Sequence, residues 1–368
     1  MKVNKLGDIA CFSQGIQVAI DKQYNKIEEG YVRFLRIIDY TQNKDEIRYI
    51  DNPGERYLVN NNDVVMIRYG DAGKVVKGYE GAIANNLFKI CIDEKLIIRE
   101  YLYYYLSQEN IYKQLTNSQQ KTGLPAVNFK TVSEIKIVYP ESIAIQKNIV
   151  KILDKAQELI DKRKEQIGEL DKLIKSKFIE MFGDQNTNSK NLEKVYLKDI
   201  SELITKGASP NWQGIEYVDD DTQTLFVTSE NVREGYIDLS KKKYLMDAFN
   251  EKQKRSILNN GDFLINIVGA SIGRAAQFNL DIKANINQAV ALVRIKKGLV
   301  NDKYMLEYLN SPKALQMYKS MQVSVARANL SLQNINDLEI LLPPMELQNQ
   351  FANFVKQVDK LKFILHLV

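Results

Sequence analysis

Between Ile145 and Met181 apolar residues recur at alternating steps of three and four: Ile149, Ile152, Leu153, Ala156, Leu159, Ile160, Ile167, Leu170, Leu173, Ile174 and Phe178. That spacing predicts a helix with one apolar stripe. The segment has no proline and a single glycine, Gly168, and charged residues fill its other faces, with Glu165 at helical spacing from basic neighbours. At 1.5 Å per residue it would span roughly 55 Å. An apolar stripe of that length needs a partner helix. Phe351, Phe354, Val355, Val358, Leu361 and Ile364 supply a matching stripe near the C-terminus, so the two helices are expected to join as an antiparallel coiled coil.

The shorter apolar runs fall into a series that occurs twice. In the first half, Leu6-Gly7-Asp8-Ile9 leads to the turn Gln14-Gly15, then to the run Phe34–Ile38 and the strand Asp63–Ile67. A loop Gly70-Asp71-Ala72-Gly73-Lys74 follows, then Asn85-Asn86, the strand Leu87–Ile90, a tyrosine-rich helix over 101–105, a polar loop at 118–123, and Ile135–Val138 before Pro140. In the second half, Leu197–Ile200 leads to Lys206–Pro210, Leu225–Thr228, Gly261–Asn266, the loop Gly269–Arg274, Asn287-Gln288, Tyr304–Tyr308, a polar loop at 324–327, and Leu338–Ile340 before Pro343-Pro344. The same landmarks in the same order indicate a duplicated domain with loop insertions. The expected organisation is a globular domain over 1–142, a spacer helix over 143–183, a second domain over 184–342 and a short C-terminal helix over 343–368. The expected fold class is mixed α/β, with a pseudo-twofold repeat.

Composition narrows the class of function. A length of 368 residues, 45% hydrophobic and 26% charged residues, and a mean hydropathy of -0.32 describe a soluble globular chain of two domains. No run reaches the length of a membrane span and the first residues, MKVNKLGDIA, lack a signal peptide's apolar core. The expectation is a cytoplasmic protein without a membrane partner. Cys11 and Cys91 form no C-x-x-C pair and are expected to be small buried hydrophobes. The net charge of +5 suits a nucleic-acid partner but does not demand one. The single histidine, His366, argues against a zinc site or a histidine-based catalytic centre. No phosphate loop, dinucleotide fingerprint or amino-methyltransferase tetrapeptide occurs, and Ser271 and Ser324 have no base beside them. The chain is expected not to be an enzyme and to bind no cofactor or metal of its own.

In its order of domain, long helix, homologous domain and second helix, the sequence resembles the specificity (S) subunit of type I restriction-modification systems. The motifs that carry the resemblance are Gly261–Ile265 with the loop through Gly273, Asn287-Gln288, and Pro343-Pro344 followed by Gln348. Asp63-Val64-Val65, Gly70 with Gly73, Asn85-Asn86, and Pro140 with Gln146 form a looser first copy. The resemblance implies two target-recognition domains, each reading one half of a split, asymmetric sequence in double-stranded DNA, with the helices as a ruler. It implies partners too: two methyltransferase subunits and restriction-translocase subunits, which would hold S-adenosylmethionine, ATP and magnesium. The C-terminal helix is short for this pattern, and its end, Phe363–Val368, is apolar on all sides.

Base reading draws on amides and guanidinium groups in loops, and phosphate contacts draw on Lys, Arg, Ser, Thr and backbone N–H groups. On that basis the DNA-binding candidates of the first domain are Arg68, Tyr69, Lys74, Lys77, Asn86, Lys121 and Thr122. Those of the second are Lys206, Ser209, Asn211, Trp212, Asn266, Ser271, Arg274, Gln288 and Arg327. Asn85, Asn86, Asn287 and Gln288 could instead satisfy backbone groups at strand ends, and Trp212 could pack within its own turn. A competing reading is a non-catalytic protein-interaction scaffold, two domains on a coiled-coil rod, with no DNA binding.

Overall fold

The strand Val64–Ile67 is buried at every position, and its alternation explains why. Val64 and Met66 point into one core with Leu102 and Ile137, while Val65 and Ile67 point into another with Leu35, Ile83 and Leu87. An apolar run without polar alternation therefore marks a strand between two layers. The computed structural model describes residues 1–42, 46–117, 126–321 and 329–367, which form two units, Met1–Lys162 and Arg163–Val368.

In the first unit, one antiparallel sheet orders its strands Ala10–Gln14, Leu87–Ile92, Val64–Ile67, Val75–Val76. A second sheet runs Arg48–Asp51, Tyr31–Leu35, Gly81–Ile83, Leu58–Val59, its middle pair parallel. Lys2–Lys5 pairs with Lys136–Tyr139. The second unit repeats the plan with Ser201–Lys206, Val290–Ile295, Phe263–Asn266, Ala275–Gln277 in one sheet. Its second sheet again holds a parallel pair, Thr224–Val227 with Ala284–Ile286, and Glu193–Tyr196 pairs with Glu339–Leu342. Phe263 and Ile265 face one core and Leu264 the other, as in the first copy. The copies differ at the second sheet's edge. The strand Leu58–Val59 has only an isolated bridge, Ile257 with Asn285, in its place, and Tyr217–Val218 lies beside Tyr244–Leu245.

The central helix runs Ile143–Phe182, and the C-terminal helix Met345–Leu367. Each is fixed at its start by a buried glutamine. Gln146 accepts from the Ile98 N–H (2.9 Å) and donates to the carbonyls of Leu96 (2.9 Å) and Pro140 (2.8 Å). Gln348 accepts from the Asn301 N–H (2.8 Å) and donates to the Pro343 carbonyl (2.8 Å). One side chain thereby ties the helix start to the loop entering a shorter helix, Arg99–Leu106 or Asp302–Leu309.

Within the second unit the end of the central helix and the C-terminal helix pack antiparallel. Phe178 and Phe182 lie 5.3 and 5.5 Å from the Phe351 ring, and Asp171, further back, pairs with Lys362, further on. Ile174 and Val355 share this core. In the first unit the same central helix buries Val150 and half-buries Ile149. The stripe is not covered throughout: Ile152 is 69% exposed, and Leu159 and Ile160 are exposed as well. The cysteine expectation also needs correction. Cys11 is exposed because it stands on the outer strand of its sheet, with the half-buried Cys91 opposite it. Among the described residues no helix is long and apolar enough to cross a membrane.

A cavity of about 410 Å³ in the second unit is lined by Lys175, Lys303 and Lys362, each paired with a carboxylate (Glu234, Asp359 and Asp171), together with Glu307. Burial pushes the Glu307 carboxyl above the ordinary carboxylate range, and Lys175 draws it partly back. A raised folded-state pKa makes folding most favourable where Glu307 is protonated, and that contribution is lost as pH rises through the folded value. Glu307→Gln is therefore expected to raise the melting temperature at pH 8 and to leave it unchanged at pH 4. Equal shifts at both pH values in thermal melts would contradict the assignment.

Candidate nucleic-acid interface

In both copies a glycine ends the first strand of the main sheet against a crossing backbone. A Cβ on Gly15 would lie 2.2 Å from the Ala84 and Ile83 carbonyl oxygens, and one on Gly207 would lie 1.8 Å from the Ile286 oxygen. Only glycine lets these segments touch. The close approach sets the early turn beside the loop carrying Asn85-Asn86 or Asn287-Gln288. Gln14 then donates to the Asn85 carbonyl (2.9 Å) in the first copy.

In the first unit Arg68 and Asn86 meet through the Arg68 N–H and the Asn86 carbonyl (2.9 Å). The Arg68 guanidinium lies over Tyr69 and Phe129, 5.2 and 5.7 Å from the ring centres. Tyr69 and Lys74 are exposed, and Asn86 is half-buried, its Oδ1 without a partner among the described residues. Lys77 turns to the tyrosine helix, its ammonium 4.6 Å from the Tyr103 ring centre. Lys121 and Thr122 lie outside the described residues, as does Arg327 in the second copy.

In the second unit Lys206, Asn211, Arg274 and Gln288 are exposed and Ser209 and Ser271 half-buried. Ser209 and Gln288 come together on a cavity of about 180 Å³, walled by Tyr217 and Phe226 and rimmed by Glu230 and Lys243. Tyr217, Glu230 and Lys243 carry no sequence signal toward this cavity, and Phe226 is legible only as part of the apolar run Leu225–Thr228. Trp212 does not pack within its turn: it is 88% exposed. Asn266 requires a correction. It is fully buried, and its Nδ2 donates to the carbonyls of Ser229 (3.0 Å) and Val232 (3.2 Å) and to Ser271 Oγ (3.2 Å). Those bonds hold the glycine loop to the sheet, so its amide is withdrawn from any ligand on the surface.

The family model described as type I restriction modification DNA specificity domain matches the chain twice, over residues 1–171 and 189–366. The chain belongs to that family. Among its relatives, the type I restriction enzyme MjaVIII specificity subunit of Methanocaldococcus jannaschii is 23% identical over 374 residues, covering 98% of this chain and 86% of the relative. The EcoBI specificity subunit of Escherichia coli is 23% identical over 362 residues, covering 91% and 74%. A solved structure concerned with complex assembly and conformational transition of the type I R-M system shares the fold, with a TM-score of 0.52 and 16% identity over 99% of this chain and 92% of that one.

In this specificity family chain, Arg274 stands in the glycine loop of the second unit. It is exposed beside the Gly269–Ser271 turn and, among the described residues, its guanidinium has no carboxylate partner. Arg274→Ala is expected to weaken DNA binding several-fold and to reduce the slope of log K against log salt by about 1. An unchanged slope in salt titrations would remove Arg274 from the interface.

Proposed function

We propose that this chain is the non-catalytic DNA-recognition subunit of a type I restriction-modification complex. Domains 1–142 and 184–342 each read one half of a split target, and helices 143–183 and 343–368 set the gap between the halves. Methyltransferase subunits dock on this scaffold and act on adenine with S-adenosylmethionine, and restriction-translocase subunits bring ATP and magnesium chemistry. The chain holds no cofactor of its own in this reading.

The observation that carries the proposal is duplication with unlike surfaces. One framework occurs twice, yet one copy presents Arg68 over Tyr69 and Phe129, while the other presents Trp212, Arg274 and a cavity flanked by Ser209 and Gln288. Identical readers would require a palindrome; unlike ones suit an asymmetric target.

Co-expression with the cognate methyltransferase and sequencing of the host DNA for N6-methyladenine tests this. A single split, asymmetric motif is the expected result. A palindromic motif would mean that one domain reads both halves. No methylation by an intact complex, together with a DNA affinity indifferent to Arg274→Ala, would leave a protein scaffold.

A further inference from the structure

The two most exposed large apolar side chains among the described residues are Trp212, at 88%, and Ile20, at 83%. They occupy equivalent places. Each stands on a 3-10 turn after the close-approach glycine, Ile20–Lys22 after Gly15 and Asn211–Gln213 after Gly207, at the same distance along the chain. The flanking sequences are unlike, so what the copies share here is an apolar tip on a short turn.

Both turns are held in place. In the first, Gln23 donates from its backbone to Ile20 (3.1 Å) and from its side chain to Val18 (2.9 Å), and Lys22 donates from its backbone to Ala19 (3.0 Å). In the second, Gln213 and Ile215 both donate to the Pro210 carbonyl (2.9 and 3.0 Å), Ile215 is buried, and the Lys252 ammonium holds the Gln213 carbonyl (2.6 Å). A fixed turn that holds an apolar side chain in water loses the burial free energy of that side chain and recovers it only against a ligand. The surroundings carry cations for an anionic one: Lys22 follows Asp21 beside Ile20, and the Lys252 ammonium lies against the turn of Trp212.

We propose that Ile20 and Trp212 are paired wedges that enter a base step in each half-site, partly unstacking it and bending the duplex. The inference rests on the DNA-reading proposal and adds to it: recognition by each domain includes the deformability of one step as well as contacts to base edges. Flexible pyrimidine–purine steps are the class of site such wedges take most cheaply.

The test uses the full chain with its methyltransferase on a short duplex carrying the mapped motif, with 2-aminopurine placed in turn at each position of each half other than the methylated adenine, which the methyltransferase itself extrudes, and the bases stacked on it. One position in each half is expected to brighten several-fold on binding. Trp212→Ala should abolish brightening in one half only and weaken binding about tenfold, and Ile20→Ala should do so in the other half. Trp212→Phe and Ile20→Leu should retain most of it. The chain's single tryptophan offers a second readout, a change in its emission when the chain alone meets the duplex. Because both side chains are exposed, unchanged melting temperatures are expected. The proposal is overturned if the duplex is bound but no position brightens, or if both alanine variants brighten it fully. It is equally overturned if those variants lose the methyltransferase while DNA distortion persists, which would make the tips protein contacts. Failure to bind any duplex would remove the DNA-reading function along with it.

Discussion

Replacing Gln146 with leucine is expected to unfold much of the first unit at physiological temperature. The substitution keeps the volume but leaves the buried Ile98 N–H and Pro140 carbonyl, and the partly buried Leu96 carbonyl, without the bonds of the lost amide. Each orphaned buried group costs about 1–3 kcal/mol, so the two buried ones cost about 2–6 kcal/mol against a domain stability of about 5–15 kcal/mol. Gln348→Leu orphans one buried group, the Pro343 carbonyl, and one partly buried, the Asn301 N–H, and should cost less, about 1–3 kcal/mol. Calorimetry of the two variants gives the comparison directly. A shift below about 1 °C for Gln146→Leu would show that the loop finds other partners.

These glutamines illustrate what the sequence discloses and what it hides. Their positions after Pro140 and Pro343 were visible as part of a repeated landmark, and the helices they begin were legible from apolar spacing. Their task was not legible, because the groups they satisfy lie far away in sequence, in loops around 96–98 and at 301. The same reason explains Asn266. A polar residue at the end of an apolar strand, next to a glycine loop, is a good surface candidate by pattern, and only the fold reveals that Thr228–Val232 crosses above it. Ile20 closes an alternating run, Ile16-Gln17-Val18-Ala19-Ile20, whose spacing reads as a half-buried strand rather than as an exposed tip. The middle of the central stripe, Ile152 to Ile160, reads as a packed face by spacing alone, yet spacing cannot say how far a partner helix reaches.

The second large effect concerns a carboxylate that occurs in both copies and is satisfied differently in each. Asp262 is fully buried and holds Arg294 through two 2.7 Å bonds, while accepting the Asn259 N–H (2.7 Å). Its counterpart, Asp63, accepts the Asn60 N–H (2.8 Å) but meets Arg99 only at 3.4 Å and Lys89 at 4.0 Å. Asp262→Ala is therefore expected to cost about 3–5 kcal/mol, because it strands a partly buried guanidinium. Asp63→Ala should cost about 1–2 kcal/mol, since its cations are looser and one of them also pairs with Glu94. The charge itself need not stabilise the fold. Replacing both members, Asp262→Leu with Arg294→Met, removes the desolvation penalty along with the pair and is expected to recover most of the loss. Urea unfolding of the single and double variants separates the cases. If the double variant were as unstable as Asp262→Ala, the turn-closing bond from the Asn259 N–H, rather than the ion pair, would be what the second domain requires of this residue.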